Sequence, residues 1–293
     1  MRAFAYYAPR SLAEAVGILQ REGDGGKVLA GGTDLLVQIK ERGLAPRYVV
    51  SLRDVRELAT ISYDEKTGLR IGAAAKLSDV AAHPVVQERY PILVEGASLV
   101  GSLQIQNLGT VAGNLCNAAP SADCAPPLVC LDASVRIAGP RGERILPLTE
   151  FFLGPGRTVL QPDELVAEIL VPPPPPRSGG SYERFTPRQE MDIAVVGVGS
   201  FLRLDDGDRC AEARICLGAV APTPIRARSA ESVLVGRQIT AEVLDQAAEA
   251  AQQDARPITD QRGTAEYRRH LVKVLTRRTL TAAWQHARGL DLR

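Results

Sequence analysis

One continuous stretch specifies the N-terminal part of this chain: Lys27-Val-Leu-Ala-Gly-Gly-Thr-Asp-Leu-Leu-Val-Gln-Ile-Lys-Glu-Arg-Gly-Leu-Ala-Pro-Arg-Tyr-Val-Val-Ser-Leu52. Lys27 to Ala30 predicts a buried strand, because a short apolar run ends there at glycine. Asp34 to Arg42 predicts a helix that ends at Gly43, and Arg47 to Leu52 predicts a second strand. The three elements together predict a compact βαβ unit.

The corner Ala30-Gly-Gly-Thr-Asp34, between the first strand and the helix, is a candidate phosphate site. Glycines permit positive φ angles and close approach of a ligand, and the free N–H groups at a helix start attract anions. The alternative is an ordinary tight turn in which Thr33 or Asp34 caps the helix. A carboxylate competes with phosphate for the same donors, so we expect Asp34 to turn away or to accept from other N–H groups if a nucleotide binds.

A second candidate site is the stretch Asn107-Leu-Gly-Thr-Val-Ala-Gly-Asn114, in a segment from Gln104 to Pro120 that we expect to be a loop. Its small residues leave room for a ligand, and its hydroxyl and amide side chains offer hydrogen bonds. Asp123, a little further along, could accept from a ribose or ring hydroxyl.

The run from Pro172 to Pro176 predicts a short extended segment and a domain boundary, because prolines form neither a helix interior nor a central strand. A chain of 293 residues is long enough for about two domains. We therefore expect one domain over residues 1–175, with subdomains of about 1–55 and 56–175, and a second over residues 176–293.

Further elements follow from local signals. Ser11 and Glu14 predict a capping box that opens a helix ending near Gly23. Leu69 to Ala74 predicts a strand and Ile92 to Leu103 a buried helix.

After the prolines the pattern predicts two strands and then three helices. Asp192 to Leu204 and Arg209 to Val220 predict a hairpin, and Thr240 and Thr264 predict caps of two helices. In the last helix we expect Tyr267, Leu271, Val274 and Leu275 to form the apolar face, and the opposite face, a solvated surface or a subunit interface, to carry Arg268, Arg269, Lys273, Arg277 and Arg278.

The composition excludes several classes of protein. Lys and Arg (35) nearly balance Asp and Glu (34), which gives no reason to expect a nucleic-acid partner. No apolar stretch approaches the ~18 residues of a membrane span, so we expect no integral membrane segment and a cytoplasmic location. The five cysteines and three histidines have no metal-ligand spacing, so we expect neither a metal site nor a disulfide framework.

The motifs, in this order and at this spacing, resemble the FAD-binding medium subunit of the xanthine dehydrogenase and aerobic carbon monoxide dehydrogenase family over nearly the whole chain. The resemblance rests on Ala30-Gly-Gly-Thr-Asp34, Ile71-Gly-Ala73, Thr110-Val-Ala-Gly-Asn114, Pro120 to Asp123, Asp192-Ile-Ala194 and Ala265-Glu-Tyr-Arg268. It implies an α+β fold, with an N-terminal PCMH-type FAD-binding region of two α/β subdomains and a C-terminal antiparallel sheet with helices, like the C-terminal domain of the carbon monoxide dehydrogenase flavoprotein.

The resemblance also implies a set of residues around a non-covalently bound FAD, and no catalytic residue. Residues 28–35 and 110–114 would hold the phosphates, Asp123 would contact the adenosine or ribityl region, and others would surround the flavin. The full set is Val28, Leu29, Ala30, Gly31, Gly32, Thr33, Asp34, Leu35, Val100, Gly109, Thr110, Val111, Ala112, Gly113, Asn114, Asn117, Asp123, Val166, Arg184, Asp192 and Ile193.

The same resemblance implies an electron-transfer subunit of a molybdenum hydroxylase. Its partners would be a large molybdopterin-carrying subunit and a small 2Fe-2S subunit in an (αβγ)2 heterohexamer, with electrons passing through FAD to NAD, a quinone or oxygen. The chain departs from the family at Ala112, where glycine is more usual, and at Ile193, where some members carry an aromatic residue. It lacks the cysteine-bearing insertion of benzoyl-CoA reductase-type members, so we expect no iron–sulfur cluster in this chain.

Two other interpretations stay open. One is a stand-alone FAD-dependent oxidoreductase of the same flavin fold, which needs a substrate domain of its own. The other is a nucleotide-binding scaffold without redox function.

Overall fold

The computed structural model describes residues 2–290. The strands in this range are β1 (Ala5–Tyr7), β2 (Gly26–Leu29), β3 (Tyr48–Ser51), β4 (Ile61–Asp64), β5 (Gly68–Gly72), β6 (Ser134–Gly139), β7 (Gly142–Pro147), β8 (Phe152–Gly154), β9 (Arg157–Thr158), β10 (Leu165–Val171), β11 (Ser178–Phe185), β12 (Val196–Leu204), β13 (Cys210–Gly218) and β14 (Ile225–Arg226). The helices are α1 (Leu12–Glu22), α2 (Leu35–Glu41), α3 (Leu77–Ala82), α4 (Pro84–Arg89), α5 (Pro91–Ser98), α6 (Leu103–Gln106), α7 (Val111–Cys116), α8 (Ala125–Cys130), α9 (Arg228–Leu234), α10 (Ala241–Asp254) and α11 (Ala265–Ala287).

The N-terminal unit is a parallel sheet in the order β1-β3-β2, with α1 packed against it. The predicted βαβ unit is confirmed as β2, α2 and β3. The α1 cap is confirmed in part: Ser11 Oγ accepts from the N–H of Glu14, but the Glu14 carboxylate accepts from Arg10 N–H instead of Ser11 N–H. Strand β1 was not predicted.

The second unit is an antiparallel sheet in the order β4-β5-β10-β6-β7, packed against helices α3 to α8 around a large apolar core. The helix predicted over Ile92 to Leu103 is wrong in length, because α5 ends at Ser98 and α6 begins at Leu103. Between them Gly101 has a φ of +60°, a left-handed conformation that interrupts a helix.

The segment from Gln104 to Pro120 is not simply a loop, because α7 lies inside it. Thr110 caps this helix: its Oγ1 accepts from the N–H of Gly113 at 2.9 Å. The abundance of small and amide residues concealed this N-cap signal.

The C-terminal part contains an antiparallel sheet in the order β11-β12-β13-β14, on which α9, α10 and α11 pack. The predicted β12–β13 hairpin and the Thr240 and Thr264 caps are confirmed. Two strands, β11 and β14, were missed. The strand predicted from Asp192 begins only at Val196, because the Asp192 carboxylate accepts from the N–H groups of Arg188 and Ile193 in a turn.

The basic face predicted for α11 needs one correction, at Arg268. This side chain is buried and donates to the carbonyl oxygens of Val195 and Ala219 and to the Asp260 carboxylate, at 2.7 to 3.1 Å. Tyr267 was predicted to lie on the apolar face of this helix, but it is 42% exposed.

One apolar core extends across the proline segment. Tyr182, Phe201 and Cys216 of the C-terminal sheet belong to the same buried cluster as the residues of the second unit. The contact is close, because a methyl group on Gly199 would lie 3.1 Å from Cys130 Sγ in α8. Among the helices of residues 2–290, none combines the length and the hydropathy needed to cross a bilayer.

Candidate functional site

A cavity of about 850 Å³ opens between the N-terminal unit and the second unit. It lies where β2 runs into α2, beside α7, β10 and the β8–β9 hairpin. Ligand pockets of this size accommodate small molecules and cofactors. The cavity is therefore the natural place to look for a cofactor site.

The two glycine-containing segments meet at the base of this cavity. A methyl group at position 31 would lie 1.9 Å from the carbonyl oxygen of Leu108, so only glycine fits there. Gly32 has a φ of +79°, a conformation that favours glycine for a second reason. These requirements explain why the Gly31-Gly32 pair follows β2.

Four consecutive backbone N–H groups, those of Gly31, Gly32, Thr33 and Asp34, donate no hydrogen bond to any residue of the described range 2–290. They belong to cavity-lining residues. Successive unpaired N–H groups beside a cavity form a concave site that suits a phosphate oxygen. The phosphate-binding interpretation of this corner thus has a geometric basis.

Asp34 lies at the start of α2 but its side chain makes no capping hydrogen bond. Partial burial at the cavity raises the pKa of its carboxyl, and Arg42 opposes this shift. The predicted alternative, a turn capped by Asp34, is wrong for this side chain.

Helices α2 and α7 are joined across the cavity wall. Gln38 Nε2 donates to Asn117 Oδ1 at 3.0 Å, and both residues line the cavity. This bond links the helix after the first glycine segment to the helix after the second.

The structure brings most of the predicted cofactor residues together. Those that line the cavity are Val28, Ala30, Gly31, Gly32, Thr33, Asp34, Leu35, Val100, Gly109, Thr110, Ala112, Gly113, Asn114, Asn117 and Val166. Those that do not are Leu29, Val111, Asp123, Arg184, Asp192 and Ile193. Val111 is fully buried in the core and Ile193 is 47% exposed in the turn before β12.

Sequence reasoning missed several residues of the cavity wall. Leu153 and Arg157 project from the β8–β9 hairpin, and Lys27 and Cys116 also line the cavity. The hairpin carries no local sequence motif, so nothing in the sequence places it beside the glycine segments. Burial raises the pKa of the Cys116 thiol to about 12, which keeps it protonated and poorly nucleophilic.

Asp123 and Arg184, which do not line the cavity, form a buried ion pair. Arg184 Nη1 lies 2.5 Å from Asp123 Oδ2, and Tyr182 donates its hydroxyl proton to Asp123 Oδ1 at 2.8 Å. Burial raises the pKa of Asp123 to about 6 despite the opposing effects of Arg184 and Tyr182.

The rest of the described chain holds no evident reactive centre. No group of three or more His, Cys, Asp or Glu side chains in residues 2–290 is arranged to hold a metal ion. The cysteines in this range are all free thiols.

Comparison with known proteins shows the family of this chain. Residues 2–174 match the family model of the FAD-binding domain in molybdopterin dehydrogenase, and residues 181–283 match that of the carbon monoxide dehydrogenase flavoprotein C-terminal domain. This chain belongs to the FAD-binding subunits of the molybdenum hydroxylase family.

Individual relatives are similar along their whole length. The xanthine dehydrogenase FAD-binding subunit of Escherichia coli O157:H7 is 34% identical over 286 residues, which cover 97% of each chain. A structure of carbon monoxide dehydrogenase from Hydrogenophaga pseudoflava, lacking the Mo-pyranopterin moiety of its cofactor, is 35% identical with a TM-score of 0.92, covering 97% of this chain and 98% of that chain. Quinoline 2-oxidoreductase from Pseudomonas putida 86 is 31% identical with a TM-score of 0.91, covering 98% of both chains.

The residues of this oxidoreductase subunit fit the cofactor of the family. The run of free N–H groups at Gly31 to Asp34 suits its diphosphate, and the cavity volume suits its size. We conclude that the FAD subunit has a cavity of suitable size and chemistry for FAD.

Proposed function

We propose that this FAD subunit receives electrons from a 2Fe-2S partner and passes them through its flavin to NAD, a quinone or oxygen. The observation that carries the proposal is the cavity whose base presents four free N–H groups between two glycine-containing segments. FAD supplies the redox chemistry when bound, and the protein supplies binding and orientation.

The cavity lining supports a relay in preference to substrate chemistry. Its titratable side chains include Asp34, whose carboxyl has a raised pKa, and Cys116, whose thiol stays protonated. Neither has a base beside it that would activate a nucleophile. Substrate hydroxylation is therefore assigned to a molybdenum-carrying partner.

The assembly we propose is a heterotrimer with a large molybdopterin subunit and a small 2Fe-2S subunit, doubled to (αβγ)2, in the cytoplasm. The similarity to subunits of carbon monoxide dehydrogenase and quinoline 2-oxidoreductase over nearly the full chain supports such partners. The substrate of the complex is chosen in the molybdenum subunit, outside this chain.

The cofactor residues proposed here are those predicted from the sequence. They fall into two groups, those that line the cavity and those that do not. The cavity-lining members contact FAD directly, and the diphosphate accepts from the N–H groups of residues 31–34. Asp123, which is buried, paired with Arg184 and outside the cavity lining, remains the proposed contact of the adenosine or ribityl region.

The experiment is to express the chain with the subunits encoded beside it, purify the complex, and record its absorption spectrum and its iron, molybdenum and flavin contents. We expect flavin on this chain and iron and molybdenum on the partners. FAD is then removed and restored while electron transfer to NAD, quinone and oxygen is followed separately.

Loss of transfer to one natural acceptor on FAD removal, with recovery on FAD addition, would support the relay and identify the acceptor. Retention of dye reduction by the FAD-free complex would show that the partners still oxidise substrate. A chain that purifies alone and oxidises a substrate would contradict the proposal and favour a stand-alone oxidoreductase. Failure to bind FAD would contradict both.

A further inference from the structure

An apolar contact joins the N-terminal unit to the second unit on one side of the cavity. Residues of α1 and β3 share a buried cluster with Ala138, Leu165 and Ala167 of β6 and β10. Leu19 and Leu52 of the N-terminal unit belong to this cluster and also line the cavity. Apolar burial is favourable but has no preferred direction, so this contact holds the units together without fixing one orientation.

Hydrogen bonds between the two units are few. Among the described residues, only two join residues 2–52 to residues 56–290. One runs from the N–H of Leu12, at the start of α1, to the carboxylate of Glu57, and neither residue lines the cavity. The other is the bond from Gln38 Nε2 to Asn117 Oδ1, which joins two cavity-lining residues.

The Gln38–Asn117 bond ties together the ends of two short helices that begin at the cavity base. Gln38 lies one helical turn after the free N–H groups of residues 31–34, and Asn117 directly follows the last residue of α7. The segments that lead into the two helices touch where Gly31 approaches Leu108. The helices are therefore joined at two separate points, their starts and this bond.

The contact at the helix starts does not by itself fix the angle between the helices. Gly31 and Leu108 are in van der Waals contact, and no hydrogen bond of the described residues joins their two segments. One point of contact allows rotation about that point, and a second point removes this freedom. The Gln38–Asn117 bond supplies the second point.

We propose that the Gln38–Asn117 bond holds the cavity closed on bound FAD and thereby controls how fast FAD leaves. When the bond breaks, the N-terminal unit rotates away from α7 about its apolar contact with β6 and β10. This inference rests on the proposed function, because it takes FAD as the ligand of the cavity. It gives a positioning role to Gln38, which no sequence motif singled out, and a second role to Asn117.

Breaking of this bond has a specific effect on the bound cofactor. The diphosphate can contact the N–H groups of residues 31–34 and the segment before α7 together only while the two units stay close. FAD therefore leaves most readily from an opened form. Removing one neutral side-chain hydrogen bond raises the population of that form by roughly two- to tenfold. Release should accelerate by a similar factor.

The test compares Gln38→Met with Glu57→Met in the full chain within its complex. Methionine is close in length to both side chains and can make neither bond. Glu57→Met is the matched control, because it removes the other hydrogen bond between the same two units, outside the cavity lining. For each variant we measure the rate of FAD release by flavin fluorescence after dilution, the melting temperature, and the hydrogen exchange of α2 and α7 amides without FAD.

We expect Gln38→Met to release FAD roughly two- to tenfold faster than the wild type and to speed hydrogen exchange in α2 and α7. Glu57→Met should lower the melting temperature at most. Asn117→Leu should also release FAD faster. Adding Gln38→Met to Asn117→Leu should cause no further acceleration, because the bond is already absent.

Release at the wild-type rate from a folded Gln38→Met protein would overturn the inference. An equal acceleration by Glu57→Met would also overturn it, since any loosening of the two units would then suffice. So would a further acceleration in the double variant, which would show that the two side chains act on FAD separately. The proposed function is judged from the wild type, and fails if that chain binds no FAD. If it binds FAD and Gln38→Met releases it equally slowly, only the role of the bond fails.

Discussion

The α-carbon of Gly31 faces the carbonyl oxygen of Leu108 so closely that a methyl group on residue 31 would lie 1.9 Å from that oxygen. The two glycine-containing segments, which are far apart in the sequence, are therefore in backbone contact. The cavity base depends on this approach, because it brings Gly31, the first residue with a free N–H group, beside Leu108 and Gly109, which precede α7.

Substitution Gly31→Ala is expected to separate the two segments. The methyl group would meet backbone, which cannot move aside as a flexible side chain can, so we expect a loss of about 1–3 kcal/mol of unfolding free energy and at least about tenfold weaker FAD binding. Urea unfolding and fluorescence titration measure the two effects. Gly17→Ala in α1, where an added methyl group meets nothing within 4 Å, is the control and should be neutral or slightly stabilising. Unaltered FAD affinity in Gly31→Ala would show that the contact does not shape the site.

Asp34 is expected to make FAD binding depend on pH. Its carboxyl has a raised pKa and lines the cavity beside the free N–H groups, so it loses its proton as pH rises through that value and then repels the diphosphate. FAD affinity should accordingly fall as pH rises through the raised pKa of Asp34, and Asp34→Asn should reduce the fall. Titrations of both proteins at pH values on either side of this pKa measure the effect. Glu41→Gln, on the same helix but outside the cavity lining, should behave like the wild type. Identical pH profiles for wild type and Asp34→Asn would contradict the prediction.

Arg268 is expected to be the most sensitive of the basic residues of α11. Replacing it with methionine removes its hydrogen bonds to the carbonyl oxygens of Val195 and Ala219 and leaves the Asp260 carboxylate with the N–H of Arg262 as a donor. We expect a loss of about 3–5 kcal/mol of unfolding free energy, measured by urea denaturation. Arg269→Met, at an exposed position on the same helix, should change stability by less than about 0.5 kcal/mol. Equal effects at the two positions would argue against a structural role for Arg268.

Limited proteolysis with trypsin is expected to cut after Arg188, whose side chain is 71% exposed in the turn between β11 and β12. The two fragments should stay together on gel filtration without denaturant, because β11 pairs with β12 along its whole length and Phe201 and Cys216 share a core with the second unit. Arg188→Gln should remove the cut. Fragments that separate spontaneously would show that the shared core is too weak to hold the halves together.

The features predicted well from the sequence have local causes. Ser11, Thr240 and Thr264 were predicted as caps because Ser and Thr hydroxyl groups readily accept from N–H groups in the first helical turn. In the structure each accepts from the N–H of the residue three positions on. The β2-α2-β3 unit was predicted correctly because its signals are also local. Its apolar runs and its breaks at Gly31 and Gly43 all lie within a short stretch of chain.

The features missed depend on contacts distant in the sequence. Strand β11 contains Gly179, Gly180 and Ser181, which do not favour strands, yet all eight of its residues pair with β12. Arg268 sits in a helical run of basic residues, and only the folded packing shows that its partners are backbone oxygens.

The candidate site shows the same division. The glycine segments were found from their residues, whereas the Asp123–Arg184 pair joins positions 61 apart and has no sequence signal. The sequence placed both residues around FAD by resemblance, but the geometry alone shows that each binds the other.

The core that crosses the proline segment has a consequence for synthesis of the chain. Residues 69–171 are synthesised before Tyr182, Phe201 and Cys216. The apolar surface of α8 therefore stays exposed until the C-terminal sheet has been synthesised and packs on it. At ~5–20 residues per second the interval from residue 171 to residue 216 lasts about 2–9 s, long enough for a nascent chain to meet a chaperone. Rare codons downstream of the proline segment would lengthen this exposure and lower the yield of folded protein.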